Sequence, residues 1–532
     1  MVKLRDKRSF AEKALVFLTV MCIFAHLAVF AFVNFRGFTR FCNSDVYADM
    51  QVAKRMWEQK TLFPDGWKFG NQCYIFATPV LAALLYGLTG SINTAMILAT
   101  EAMTVLILLS LLWLLHSFTK NVLVQCVGCL LMLASVVVPY GPYSMNSMLF
   151  YTQASFYACY LIVLFVTFGD YSRALQPTKP RAAAWILVLV LSFATGMQSL
   201  RQTIVTVLPI LVFEVLRALR RVLQHQKPWS RENVGSLIRG CSYAAANLAG
   251  IIAVKFMDVP MSPIYGETQL VPPGLCGQRL GAIPEAVCEI TQLEYILAGD
   301  CSKLIAIVIV FTIALVAAAA VLLLLRKELR GTGLAACWLL CLIGILGVFL
   351  SSVVLQITLR GIYAFMWFPL VVFSGLLLLR QLPVLCGGGL SAAVCLLSLA
   401  SLLYCFGPYL PAIAKGEPTD KAQMSQWAVE NGYRYVYGEY WGTAPQIAAC
   451  SDGALEAGCW HTPENVFQTE PANTPQNIYG VEENAAALYV FTSEDEENGL
   501  RTAQERGAVL TKAAQFGEYC AYTSSIPLMR IY

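Results

Sequence analysis

Charge is what this sequence has least of. Only 13% of its 532 residues are Asp, Glu, Lys or Arg, against about a quarter in soluble globular chains. Hydrophobic residues make up 57% and mean hydropathy is +0.61. That balance excludes a water-soluble enzyme and marks a polytopic membrane protein. The sequence also lacks a Walker A loop, a G-x-S-x-G elbow, an H-E-x-x-H pair and a dinucleotide fingerprint in any usable context. Nothing therefore indicates energy input from ATP, and a reaction must run downhill or use a pre-activated substrate. No Cys/His spacing suits zinc, and no basic patch lies outside the membrane-flanking segments, which removes a nucleic-acid partner. The N-x-S/T acceptor is missing too, which favours a bacterial source. No internal repeat or low-complexity stretch appears, nor the matched pair of broken spans that a secondary transporter shows. The net charge of +4 decides little until the basic residues are placed by loop.

Apolar segments of about 20 residues fall at roughly 14–34, 92–117, 121–140, 148–168, 183–199, 203–220, 239–257, 302–325, 332–355, 363–380 and 384–407. The first follows Lys3, Arg5, Lys7, Arg8 and Lys13 like a signal peptide, but it is too long for one, and Phe35-Arg36-Gly37-Phe38 offers no small-residue cleavage site. It reads as a retained span. With the N-terminus in the cytoplasm, eleven spans put Lys120, Arg173, Lys179, Arg181, Arg217, Arg220, Arg221, Lys227, Arg231, Arg239, Arg326, Lys327, Arg330 and Arg380 inside. The short outer loops hold only Arg201 and Arg360, an asymmetry that supports both count and orientation.

The expected organisation is a membrane domain over 1–408 and an extracytoplasmic α/β domain over 409–532. In the latter, Tyr433–Tyr440, Ala487–Thr492 and Glu518–Thr523 are strand-like. Thr502–Leu510 is a helix candidate, because Thr502 and Glu505 stand at capping-box spacing, although Gly507 weakens it. Two outer loops are long, 35–91 and 258–301, the latter with Pro260, Pro263, Pro272, Pro273, Pro284, Tyr265 and Tyr295. Loops of this length are usually functional. Of the 18 cysteines, Cys22, Cys126, Cys129, Cys337, Cys341 and Cys395 lie in apolar spans and act as small hydrophobes. Outside, Cys276 with Cys288, or Cys450 with Cys459, are local disulfide candidates, with connectivity open.

Phe41–Trp67 is the stretch around which the chain is organised. If Asp45–Lys60 is helical, Val46, Met50, Ala53 and Trp57 form an apolar stripe, with Asp45 and Asp49 side by side on a neighbouring face. Such a helix is expected to lie on the membrane surface. Residues 74–88, too short to span, are expected to form a second interfacial or re-entrant helix. A polar loop leaving a membrane ordinarily contains acids. The functional alternative is that one carboxylate acts as general base while the other tunes its pKa or binds the acceptor, with Tyr47 between them counted among the substrate contacts.

Arg201 and Arg360 are each pinned between two apolar spans, where a charge is costly without a partner. Lipid headgroups would satisfy them. So would the phosphate of a lipid-linked substrate, because a guanidinium presents a planar fork to phosphate oxygens. Tyr363, three residues after Arg360, is expected on the same helical face. Within the spans, Glu214 and Lys255 are expected to snorkel or pair locally, and Glu101 and His26 sit deeper, on a conceivable ion route.

The order NSDVYADM at 43–50, two helix candidates at 45–60 and 74–88, eleven spans, and a soluble tail resembles the GT-C superfamily of membrane glycosyltransferases, which includes protein O-mannosyltransferases and lipid A aminoarabinose transferases. SLRQTIVTVLP at 199–209 and LRGIYAFMWFPL at 359–370 resemble Arg-containing span junctions of bacterial relatives. The resemblance implies an α-helical polytopic membrane protein that moves a hexosyl or pentosyl unit from a polyprenyl-phosphate donor to an envelope glycan, lipid or protein on the outer face. It also implies Asp45 as base, with Arg201 and Arg360 holding the donor phosphate. The sequence departs from many members in having Asp45-Val46 instead of two adjacent acids, and in lacking an acidic pair in PYGPYSMNSM, so a metal-independent enzyme with no cofactor is expected. The competing expectations are a flippase or transporter of lipid-linked precursors, in which Glu101 and His26 matter, and a non-catalytic envelope assembly protein.

Overall fold

A computed structural model describes residues 2–135, 140–176, 182–228, 234–257, 259–262, 269–469, 473, 475, 478–479 and 486–529. Lys179, Arg181, Arg231, Pro263 and Tyr265 lie outside them. A long α1 (Val2–Phe41) leads into α2 (Ser44–Gln59) and α3 (Thr78–Thr89). Next come α4 (Ile92–Leu115), α5 (Val122–Ala134), the short α6 (Met145–Phe150), α7 (Ala158–Ala174), α8 (Ala182–Gln198), the single turn α9 (Leu200–Gln202), α10 (Leu208–Leu223) and α11 (Val234–Lys255). The second long loop folds into α12 (Pro273–Gly281), α13 (Ile283–Thr291) and α14 (Leu293–Ala298). The membrane portion ends with α15 (Lys303–Leu325), α16 (Gly333–Val354), α17 (Trp367–Gln381), α18 (Val384–Phe406) and α19 (Leu410–Lys415).

Among the described residues seven helices are long and apolar enough to cross a membrane: α1, α4, the α9–α10 run, α11, α15, α16 and α18. Each of the other expected spans holds a shorter helix, α5, α7, α8 or α17. The protein is thus a multi-pass membrane protein. The segment expected at 148–168 is split between the end of α6 and α7, because residues 151–157 break the helix with left-handed Gln153 (φ 59°) and Ser155 (φ 47°). Non-helical backbone at membrane depth must be satisfied by protein. Asn34 of α1 does this, accepting from the Gln153 amide (3.0 Å) and donating to the Tyr151 carbonyl (3.0 Å) and to Glu101 (2.7 Å). Glu101 thus orients the asparagine that holds this turn. His26 bonds to the Cys22 carbonyl of its own helix (2.8 Å). The two groups expected on an ion route are each tied into packing.

At the C-terminal end of α7 lies a closed polar cluster. Asp170 accepts from Arg239 and Tyr243 of α11, and Arg239 stacks 5.2 Å from the Trp185 ring. Glu214 of α10 accepts from Tyr171 and pairs with Arg217 (2.8 Å), which also donates to Ser236 (2.9 Å). Glu214 does pair locally, as expected.

The C-terminal region contains α20 (Asp420–Glu430), β1 (Tyr435–Glu439), α21 (Ala444–Ala449), β2 (Glu456–Trp460), β3 (Ala487–Thr492), α22 (Glu496–Glu505), β4 (Leu510–Phe516) and β5 (Tyr519–Ser524). The sheet order is β2-β1-β3-β5-β4, with β1 parallel to β2 and β3, and β5 antiparallel to β3 and β4. Val436, Leu488 and Val490 face one core with α21, whereas Tyr437, Tyr489 and Phe491 face the other with Ala503 of α22. Burial on both faces explains why β1 and β3 read as continuous apolar runs. The helix expected at Thr502–Leu510 is corrected to α22, which begins six residues earlier and stops before Gly507 (φ 78°), after which Leu510 already belongs to β4.

The expectation for α2 also needs correction. Its boundaries agree: Asn43 accepts from the Val46 amide (2.9 Å), and Lys60 closes the helix in the left-handed region. Yet it is no membrane-surface helix, because 11 of its 16 residues are buried. Val46, Met50 and Ala53 share one hydrophobic core with α3, α4, α20, α21 and the sheet. An apolar stripe specifies burial without saying against what. Here the sheet supplies the cover that lipid was expected to supply. The cysteines are all free thiols, so neither Cys276 and Cys288 nor Cys450 and Cys459 are joined.

Candidate active site between the membrane helices and the sheet

Asp45 lies in the first turn of α2, where the helix dipole favours an anion. Ser44 donates to the Tyr440 carbonyl in the loop after β1. The Tyr440 hydroxyl returns to Asp45 at 3.4 Å. Burial raises the Asp45 pKa above the ordinary carboxylate value, opposed by the Tyr440 hydrogen bond and the positive charge of Arg360. Asp49, one turn on and 3% exposed, accepts from Tyr74 at 2.6 Å. Its pKa is pushed up to about 8, chiefly by burial and further by the Asp45 charge, against the Tyr74 hydrogen bond. Both carboxyls are thus held above the ordinary carboxylate range, and of the two it is Asp45 that feels the positive charge of Arg360.

Arg201 enters from the α8–α9 junction. Ser199 accepts from the Arg201 amide (3.1 Å) and starts the turn, and Thr203–Val207 continue it as a π-helix, a distortion often found at functional sites. The guanidinium lies 4.7 Å from the Tyr157 ring, 4.7 Å from Tyr363 and 5.9 Å from Tyr160. Rings at these distances hold its plane by cation–π attraction. Tyr157 feels the charges of both Arg201 and Asp45. Tyr160 donates to Gln72, and Gln198 accepts from the amides of Ile75 (3.3 Å) and Phe76 (3.0 Å). The first outer loop is thereby fixed against the arginine junction.

Arg360 is exposed and extended, just before a 3-10 turn at Gly361–Ala364. Tyr363 consequently does not stand on a helical face with it but lies against Arg201. Two features of the loop 258–301 set the Arg360 backbone. Arg279 donates to the carbonyls of Ser352 (2.6 Å), Leu355 (3.0 Å) and Ile357 (2.9 Å), gathering the end of α16 and the strand-like segment that follows. Glu289 accepts from the Gly361 amide. Gly361 must be glycine, because a Cβ there would stand 2.2 Å from the Ala286 carbonyl.

Of the residues expected from sequence, Asp45, Asp49, Arg201, Arg360 and Tyr363 thus come into one neighbourhood. Tyr47 does not join them. It is 2% exposed, and its hydroxyl accepts the Ala457 amide at 2.6 Å, committing it to the sheet. The sequence reading missed Tyr74, Tyr157, Tyr160 and Tyr440. Tyrosine density in FYTQASFYACY, opening an apolar span, was the available signal for two of them. A cavity of about 570 Å³ opens elsewhere, between the start of α15 and the end of α18, lined by Tyr140, Asp300, Cys301, Tyr404 and Tyr409 among others. None of the acids and arginines above line it, and its single carboxylate suits it poorly for acid–base work.

A partly buried carboxylate of raised pKa that feels one guanidinium, Arg360, and shares Tyr157 with a second, Arg201, can take a proton from a nucleophile while negative charge collects opposite. No family profile matches the sequence, and no curated protein does either. The fold has solved counterparts. ArnT from Cupriavidus metallidurans bound to undecaprenyl phosphate is similar over 96% of this chain and 99% of that one, with TM-score 0.54 at 12% identity. The apo state of ArnT from the same organism aligns over the same shares at TM-score 0.45. The first of these likenesses shows that the chain has an ArnT-like fold.

Proposed function

We propose that the protein is a membrane glycosyltransferase moving a sugar from a polyprenyl-phosphate donor to an envelope acceptor. The observation that carries this reading is the approach of Asp45, Arg201 and Arg360 across more than 300 residues of chain, in a fold shared with a structure bound to undecaprenyl phosphate. Asp45 removes the proton from an acceptor hydroxyl or amine as it attacks the anomeric carbon. The bond from that carbon to the phosphate oxygen breaks, and the electron pair leaves with the polyprenyl phosphate. Arg201 and Arg360 bind the departing anion, which is a better use of two guanidiniums than headgroup contact. Direct displacement inverts the anomeric centre. The positive-inside asymmetry supports a cytoplasmic N-terminus and an outer location for the sheet and site, in a bacterial cell membrane.

The test is sugar transfer from a panel of labelled polyprenyl-phosphate hexoses and pentoses, using membranes that carry the native chain or Asp45→Asn. Transfer by the native protein that collapses in the variant, at equal folded protein, supports class and base together. Equal transfer in both removes Asp45 from the mechanism. No transfer from any donor refutes the transferase reading.

A further inference from the structure

In open α/β sheets, ligands bind outside the carboxyl ends of the strands, where neighbouring connections leave on opposite faces. This sheet has such a point between β1 and β3. The chain leaves β1 through α21 on one face and leaves β3 through α22 on the other. Three loops meet there, after β1, β2 and β3. Trp441, 50% exposed, projects from the first, its ring perpendicular to Tyr440 at 4.8 Å and to His461 of the second at 6.4 Å. Glu439 accepts from the Gly442 amide, which fixes its carboxyl beneath the loop. Asp495 of the third loop accepts from Thr492 (2.9 Å) and is felt electrostatically at Glu439. Gly442 closes the gap to Thr492. The result is an exposed aromatic platform bordered by carboxylates and ring nitrogens. It adjoins the candidate active site along the chain, because the residue before Trp441 is the tyrosine that donates to Asp45.

We infer that this crevice is the acceptor subsite and that it takes a saccharide, one ring stacked on Trp441 and its hydroxyls donating to Glu439 and Asp495. The inference rests on the transferase reading. A pyranose or furanose offers an apolar C–H face to an indole and a rim of hydroxyl donors to carboxylates, which matches the surface found. An acidic peptide or an anionic headgroup would meet Glu439 and Asp495 unfavourably. Burial holds the Glu439 carboxyl above its ordinary pKa, against the Trp441 and Gly442 amides and the His461 ring that favour its anion. Seated on Trp441, the saccharide extends past Tyr440 and delivers its terminal hydroxyl toward Asp45.

The test uses the full-length protein in lipid nanodiscs and saturation-transfer NMR, with di- to hexasaccharides of hexoses, N-acetylhexosamines and pentofuranoses as probes. At least one is expected to bind. Trp441→Ala should weaken it roughly tenfold or more, and Trp441→Phe should keep it within about threefold. Thermal unfolding of Trp441→Ala checks that the sheet is intact. Binding by no saccharide, or equal binding by native and Trp441→Ala, overturns the inference. The two readings fail separately. Saccharide binding that depends on Trp441, with no sugar transferred from any donor, sinks the transferase and leaves a carbohydrate site. Transfer that needs Asp45 but has an acceptor KM indifferent to Trp441 sinks the crevice alone.

Discussion

The two ends of α7 carry the same residue types in opposite arrangements. At its C-terminal end each acid is matched with an arginine and a tyrosine: Asp170 with Arg239 and Tyr243, Glu214 with Arg217 and Tyr171. At its N-terminal end Asp45 and Asp49 are held by the hydroxyls of Tyr440 and Tyr74, while Arg201 is laid against Tyr157, Tyr160 and Tyr363. A carboxylate satisfied by a guanidinium has little left to offer chemistry. One hydrogen-bonded to a phenol and buried, with a guanidinium felt at most through its charge, keeps a raised pKa and an appetite for protons. The first arrangement fastens helices, and the second is suited to turnover.

The sharpest test of that division exchanges one acid at each end. Asp45→Asn is expected to cut kcat/KM about a thousandfold with the thermal midpoint essentially unmoved. Asp170→Asn should do the reverse, destabilising by about 3–5 kcal/mol because it strands the buried charge of Arg239. Its folded fraction should still transfer sugar at the native rate. If both variants lost the same property, the two clusters would not differ in kind. Arg201→Gln comes next, with the donor KM up roughly thirtyfold, about 2 kcal/mol of charge-assisted binding. A donor KM that stays put would make Arg201 a packing residue like Arg239.

The pH profile gives a smaller but more specific signal. Arg360 and Tyr440 both favour the Asp45 anion, so Arg360→Gln and Tyr440→Phe should each move the acidic limb of kcat/KM toward alkaline pH by up to about one unit. A shift toward acid would reverse the assigned electrostatics. Smallest is the stability effect at Asp49. Its folded pKa of about 8 stands above the 3.8 of a freely solvated aspartate, so the folded state holds the proton more tightly than the unfolded one. Its contribution to stability is full below pH 4, declines as pH rises, and is lost above 8. Asp49→Asn cannot titrate, so its Tm relative to the native protein should climb by a few degrees between pH 5 and 9. A gap that stays constant would place an ionised Asp49 in the folded state.

What could be read in one dimension was whatever depended on local pattern. The α2 helix, its two acids and the strands β1, β3 and β5 are runs with their own periodicity or aromatic content. β4 was not legible, because LTKAAQF faces solvent at most positions and carries no alternating apolar signal. The partner of the α2 stripe was not legible either, since membrane and sheet demand the same stripe. Tyr440 was hidden for the plainest reason: it lies 395 residues from the carboxylate it serves.

That separation has a consequence in time. α2 emerges from synthesis among the first segments of the chain, while Val436, Leu488, Val490 and Ala521, which cover it, come last. Until then Val46, Met50 and Ala53 have no sheet to pack on, Asp45 has no Tyr440, and its carboxyl keeps the acidity it would have in water. Contacts this remote form late. The nascent protein therefore spends almost its whole synthesis with the Asp45 carboxyl unassembled, and a chain released before the sheet is complete would occupy the membrane without the candidate site.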